Sequence, residues 1–102
     1  MHPTPTIGGL SPETLVKLRG VLNAESGVQQ ILLFGSRAKK TYRDSSDIDL
    51  ALKGSRLSFS RLMNLKTAID ELMLPYPVDL VVYETLENTD LKEHIDRAGI
   101  PI

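Results

Sequence analysis

Apolar positions change their period several times along the chain, and each change marks an element. Leu15, Leu18 and Leu22 recur three and four residues apart, the spacing that lines up one face of a helix. Ser11-Pro12-Glu13 reads as the start of that helix, because serine caps free N–H groups and proline at the first helical position loses no hydrogen bond. The predicted helix runs to about Glu25. VQQILLF, Val28 to Phe34, is a short β-rich run that stops at Gly35-Ser36, where a short helix or turn begins. From Asp47 to Lys53 the period is two, with Ile48, Leu50 and Leu52 on one face and Asp47, Asp49 and Ala51 on the other. Ser58 caps a second long helix in which Leu62, Leu65, Ile69 and Leu72 form a core stripe, ended by Pro75 and Pro77. VDLVVY, Val78 to Tyr83, is a third strand, and Thr89 to Ala98 a last helix carrying Leu91 and Ile95, with Gly99 as its stop. Met1 to Gly9, with two prolines and two glycines, reads as a flexible arm. Ile100-Pro101-Ile102 is apolar beyond the last helix and is expected either to dock on the core or to meet a partner.

Length and composition narrow the function classes. A chain of 102 residues is expected to form one domain with a modest core and no second lobe. With 41% apolar residues, 25% charged residues and a net charge of −1, it has no basic footprint, which argues against direct nucleic-acid binding. The sequence contains no cysteine, so disulfides, thiolate zinc sites and cysteine nucleophiles are excluded and a reducing cytoplasm is the expected setting. No apolar run approaches the ~20 residues of a membrane span, and MHPTPTIGG lacks the pattern of a signal peptide, so no membrane association is expected.

The aspartates are the anomaly. Residues two apart on a strand point the same way, with Cα atoms roughly 6.6 Å apart, so the carboxylates of Asp47 and Asp49 can converge on one ion. Two such charges brought to ~4 Å repel by about 4 kcal/mol near a protein surface, and a cation between them removes that repulsion. Carboxylate oxygens suit magnesium or manganese, which take remaining ligands from water and phosphates. Asp79 interrupts the third strand on the face opposite Val78, Leu80 and Val82; if that strand lies beside the second, three carboxylates share one face, the raw material of a two-metal phosphoryl-transfer site. The Gly35-Ser36 turn adds a backbone that phosphate can approach closely and a hydroxyl at a helix start. Arg37, Lys39, Lys40 and Arg43 supply positive charge nearby.

GSRA, then SDIDLAL, then the lone aspartate of VDLVVY resembles the minimal nucleotidyltransferases of the DNA polymerase β superfamily, over Val28 to about Gly99. The resemblance implies an α/β (α+β) nucleotidyltransferase fold, a small mixed sheet flanked by helices, with two magnesium or manganese ions. It also implies transfer of a nucleoside monophosphate from ATP or another triphosphate with loss of pyrophosphate. Carried onto this chain, Gly35, Ser36 and Arg37 fall in the nucleotide-binding turn, Asp47 and Asp49 match the metal-bridging pair, and Asp79 matches the third carboxylate, which helps activate the acceptor hydroxyl. Many stand-alone members pair with a helical HEPN-domain protein as toxin and antitoxin, and some adenylylate a tyrosine of that partner. Lys39-Lys40 stands where the family usually carries arginine-glycine, a departure that bears on the turn after the short helix.

Plainer readings compete with these. Asp47 follows Ser45-Ser46 and also reads as a strand opening, Asp79 as a strand-end residue after Pro77, and the basic run as a solvated face. Asp44 belongs to the loop, and neither His2 in the arm nor His94 on a polar helix face has a partner that the sequence reveals. Ser36 lacks the second glycine of G-x-S-x-G, and no G-K-[ST] follows as in a P-loop. The expected function is AMP transfer to a hydroxyl of a HEPN-type partner protein, since one small domain has no lobe to grip a nucleic acid. The rival is a non-catalytic module of the same fold that neutralises a toxin by contact. Base preference, acceptor residue and homo- or hetero-oligomeric state are open at this level.

Overall fold

The alternating elements fold into a sheet with helices on both faces. The computed structural model describes residues 7–43 and 45–102, in the order α1 (Pro12–Asn23), β1 (Gln30–Phe34), α2 (Ser36–Lys39), β2 (Ile48–Lys53), α3 (Phe59–Asp70), β3 (Val78–Val82), a 3₁₀ turn (Tyr83–Thr85), α4 (Thr89–Ala98) and β4 (Ile100–Pro101). The sheet order is β3-β2-β1-β4. β1 runs antiparallel to β2 and β4, whereas β2 and β3 are parallel, so the sheet is mixed as expected.

The period-two strands sort their side chains between the layers. Ile31 and Leu33 of β1, Ile48, Leu50 and Leu52 of β2, and Leu80 and Val82 of β3 join Leu15, Leu18 and Leu22 of α1 and Leu65 and Ile69 of α3 in one cluster. Leu32, Phe34 and Ala51 point to the other face and meet Ile95 of α4. The three long helices begin where short polar side chains accept from free backbone N–H groups: Ser11 Oγ from Thr14 at 3.1 Å, Ser58 Oγ from Arg61 at 3.2 Å and Asn88 Oδ1 from Leu91 at 3.1 Å. Each such cap contributes about 1 kcal/mol.

Boundaries shift by a few residues, and two of the shifts affect the site. β2 begins at Ile48, so Asp47 stands just before the strand. The C-terminal tail docks as β4, with Leu33 opposite Ile100, Leu32 opposite Pro101, and the Ile102 N–H donating to the Ile31 carbonyl at 3.0 Å. This tail completes the sheet edge beside β1, the strand that leads into the Gly35 turn. Of the arm expected over 1–9, residues 1–6 lie outside the described residues. Ile7 to Gly9 are not loose: Ile7 bridges to Leu10, which is fully buried. Among the described residues, no helix is long and apolar enough to cross a membrane.

Candidate active site

Strand register brings the separated aspartates together. Asp49 is paired with Asp79 across the parallel β2–β3 ladder, where neighbouring strands lie ~4.8 Å apart, and with Phe34 across β1. Because Ile48, Leu50 and Leu80 are turned to the α1/α3 layer, the two carboxylates emerge on the α4 face. Asp47, exposed, precedes them at the mouth of β2. Burial, then the charge of Asp79, then that of Asp47 hold the half-buried Asp49 carboxyl above the ordinary carboxylate range. The three groups therefore share one electrostatic environment, and it is one that resists its own negative charge.

The Gly35 turn abuts this cluster. Gly35 adopts φ 75° and ψ −153°, a conformation essentially restricted to glycine, and the Asp49 carboxylate packs on its Cα so closely that a Cβ would collide with Oδ2 and lie 3.1 Å from Cγ. Ser36, the first residue of α2, is half-buried beside it. α2 closes in two steps: the Lys39 N–H donates to the Gly35 carbonyl at 3.1 Å, and the Thr41 N–H to the Ser36 carbonyl at 3.0 Å.

That closure puts Lys40 at φ 63° and ψ 25°, in the left-handed region. The turn that glycine favours is thus kept, with a lysine carrying the strain. Lys40→Gly is expected to stabilise the fold by about 0.5–1 kcal/mol, the relief of left-handed strain being partly offset by the greater freedom of glycine in the unfolded chain. Denaturant melts of the two proteins check this, and a loss of stability would show that the Lys40 side chain is itself needed.

Arg37 departs from expectation. The resemblance puts it with Gly35 and Ser36 in the nucleotide-binding turn, yet it is only 2% exposed. Its guanidinium donates to the Gly8 carbonyl at 2.8 Å and, from Nε and Nη2, to the Ser46 carbonyl at 3.2 and 2.9 Å. It also lies against the rings of Tyr76 and Tyr42, 4.7 and 5.3 Å from their centroids. A buried guanidinium is tolerated only when its donors are satisfied, and here satisfying them ties the N-terminal turn to the loop that delivers Asp47. Arg37 thus holds the loop carrying an aspartate, and its side chain is committed to protein contacts.

His94, by contrast, has a role at the site that the sequence conceals. Its Nε2 accepts a hydrogen bond from the Gly35 N–H at 2.9 Å, across 59 positions of sequence, and its ring meets Phe34 edge-on with centroids 6.0 Å apart. Burial, with Lys39 and Arg97 adding repulsion, holds its pKa below the usual histidine value and so favours the neutral imidazole, the form that can accept. Leu91 and Ile95 are legible as the inward stripe of α4; that the residue before Ile95 reaches a glycine at the end of β1 depends on how α4 crosses the sheet.

The match to known proteins agrees with this geometry. The family model described as polymerase β nucleotidyltransferase matches residues 16–102. The chain belongs to this family. Among similar proteins, this nucleotidyltransferase is 29% identical over 85 residues to a Methanocaldococcus jannaschii protein named "putative protein adenylyltransferase", covering 82% of this chain and 86% of that one. Its fold matches the crystal structure of a toxin–antitoxin with AMP-PNP at a TM-score of 0.69 and 26% identity, over 90% of this chain and 72% of the other. A complex described as a tri-AMPylated Shewanella oneidensis HEPN toxin with an MNT antitoxin shares the fold at a TM-score of 0.59 and 21% identity, over 85% and 69% of the two chains.

Proposed function

We propose that this nucleotidyltransferase moves AMP from ATP to a hydroxyl of a HEPN-type partner protein in the cytoplasm, as the antitoxin of a toxin–antitoxin pair. The observation that carries the reading is the register of Asp49 beside Asp79, with the Gly35-Ser36 turn packed directly on the Asp49 carboxylate. In this reading a partner hydroxyl oxygen attacks the α-phosphorus of ATP, a new O–P bond forms, the bond to the β-phosphate bridging oxygen breaks, and pyrophosphate leaves. Asp79 takes the proton of the attacking hydroxyl, and Gly35 and Ser36 hold the triphosphate.

Asp47, Asp49 and Asp79 are the ligands we assign to two magnesium or manganese ions. An all-carboxylate set fits these cations, and a cluster that pushes the Asp49 carboxyl upward is one that a divalent cation would relieve. Bound there, the ions would neutralise charge on the triphosphate and on the leaving pyrophosphate. Among the described residues no three carboxylate or imidazole groups are gathered tightly enough to hold one ion, so ligation asks for side-chain rotation at exposed Asp47 and Asp79. The names of the similar proteins, a protein adenylyltransferase and a toxin–antitoxin with AMP-PNP, support the acceptor class and the nucleotide.

Incubation with the cognate HEPN protein, ATP and magnesium is expected to add one or more adenylyl groups to the partner, read by intact mass spectrometry and located by peptide mapping at a tyrosine. A fully neutralised partner in a stable complex with no added mass would overturn the transferase reading in favour of inhibition by contact.

A further inference from the structure

We infer that His94 is a positioning residue of this reaction, holding the Gly35-Ser36 turn in the shape that receives the triphosphate; this rests on the transferase reading above. Gly35 adopts a backbone conformation that glycine alone takes readily, and because glycine is equally free to take others, contacts must select this one. Three contacts do so here. The Asp49 carboxylate lies on the Cα, the Lys39 N–H donates to the Gly35 carbonyl, and the His94 imidazole accepts from the Gly35 N–H. The first two come from elements adjoining the turn. The third comes from α4, 59 positions away in sequence.

The imidazole is well placed to brace another group. Its neighbour Ile95 is 1% exposed in the cluster with Leu32, Phe34 and Ala51, so α4 is fixed to the strand that leads into the turn. The Phe34 ring edge limits rotation of the imidazole. A partly exposed N–H at this point would be served equally well by water for stability alone. A fixed acceptor instead sets the plane of the Phe34–Gly35 peptide, and with it the direction in which the Ser36 N–H and hydroxyl face an incoming phosphate. Burial, and after it the Lys39 and Arg97 charges, favours the neutral ring that this requires.

Two variants separate positioning from simple packing. His94→Gln keeps an oxygen acceptor near the position of Nε2, whereas His94→Leu fills similar space with none. In His94→Leu the Gly35 amide is expected to lose hydrogen-exchange protection in ¹H–¹⁵N spectra of the nucleotide-free protein, and calorimetry with ATP and magnesium is expected to show about 10-fold weaker binding, the scale of one hydrogen bond. In turnover, KM for ATP is expected to rise about as much while kcat changes far less, and His94→Gln should recover both binding and protection. If His94→Leu does not fold, His94→Asn, whose acceptor falls short of Gly35, takes its place with the same expectation. ATP binding in the acceptor-less variant equal to or tighter than wild type, with the wild type binding normally, overturns the inference alone. A wild type that binds no ATP in the presence of magnesium overturns the transferase reading and this inference together.

Discussion

Gly35→Ala is expected to lower stability by about 2–4 kcal/mol and to remove triphosphate binding. At φ 75° and ψ −153° the backbone alone penalises any side chain by about 1–3 kcal/mol. The added methyl would also meet the Asp49 carboxylate, so either the turn or the aspartate must move. Neither is free to do so cheaply: β1 is paired on both edges, and Asp49 is fixed between Phe34 and Asp79 in the ladder. For a domain of this size each kcal/mol shifts the melting temperature by about 4–8 °C, so the melting temperature should fall by roughly 8–30 °C. A variant that melts like the wild type would show that the turn relaxes without strain. One that is destabilised yet binds ATP normally would show that the Gly35–Asp49 contact serves the fold and not the phosphates.

Much of this site is legible in the sequence because it follows from period two. The alternation over Asp47 to Lys53 puts Asp49 on the face opposite Ile48, Leu50 and Leu52, and that is where β2 presents it. The place of Asp79 is conditional on β3 lying beside β2, and the parallel ladder supplies that condition. Ile100-Pro101 escapes recognition as a strand because a two-residue element has no period; it is defined only by pairing with β1. Arg37 and His94 mislead for a related reason. An arginine in a basic run looks solvated until Gly8, Ser46, Tyr42 and Tyr76 close around it, and a histidine on a polar helix face looks idle until the helix crosses Gly35. In both cases backbone groups are among the partners, and because backbone groups occur at every position, no sequence pattern marks them. The Lys39-Lys40 departure raises a question about the turn that the sequence has no means to answer. The left-handed conformation of Lys40 answers it, since the chain keeps the glycine-like geometry without the glycine.

Asp49→Asn is expected to separate catalysis from folding, with transfer to the partner reduced more than about 100-fold while the fold becomes slightly more stable. The loss follows from charge. The substituted amide would keep the shape that packs on Gly35 but offer one neutral oxygen where, in the proposed site, a carboxylate would help hold cations that offset the charge building on the transferring phosphate. The gain follows from linkage. The Asp49 pKa is raised in the folded protein above the ordinary aspartate value of 3.8, by burial first and by Asp79 and Asp47 after it. A group with a raised folded pKa favours folding below its unfolded pKa, and that contribution disappears as pH climbs through the folded value. At neutral pH ionised Asp49 therefore opposes the fold, and an asparagine side chain, which never ionises, does not. The melting temperature of the metal-free variant should exceed that of the wild type at pH 7, and the gap should narrow as both are taken toward pH 3. Because Asp49 is only half-buried, solvent screens the effect and the gap should be a few degrees at most. Partner binding, measured by co-purification, should survive the substitution. A less stable variant at neutral pH would assign Asp49 a structural role as an acceptor, and retained transfer at the wild-type rate would remove it from the chemistry.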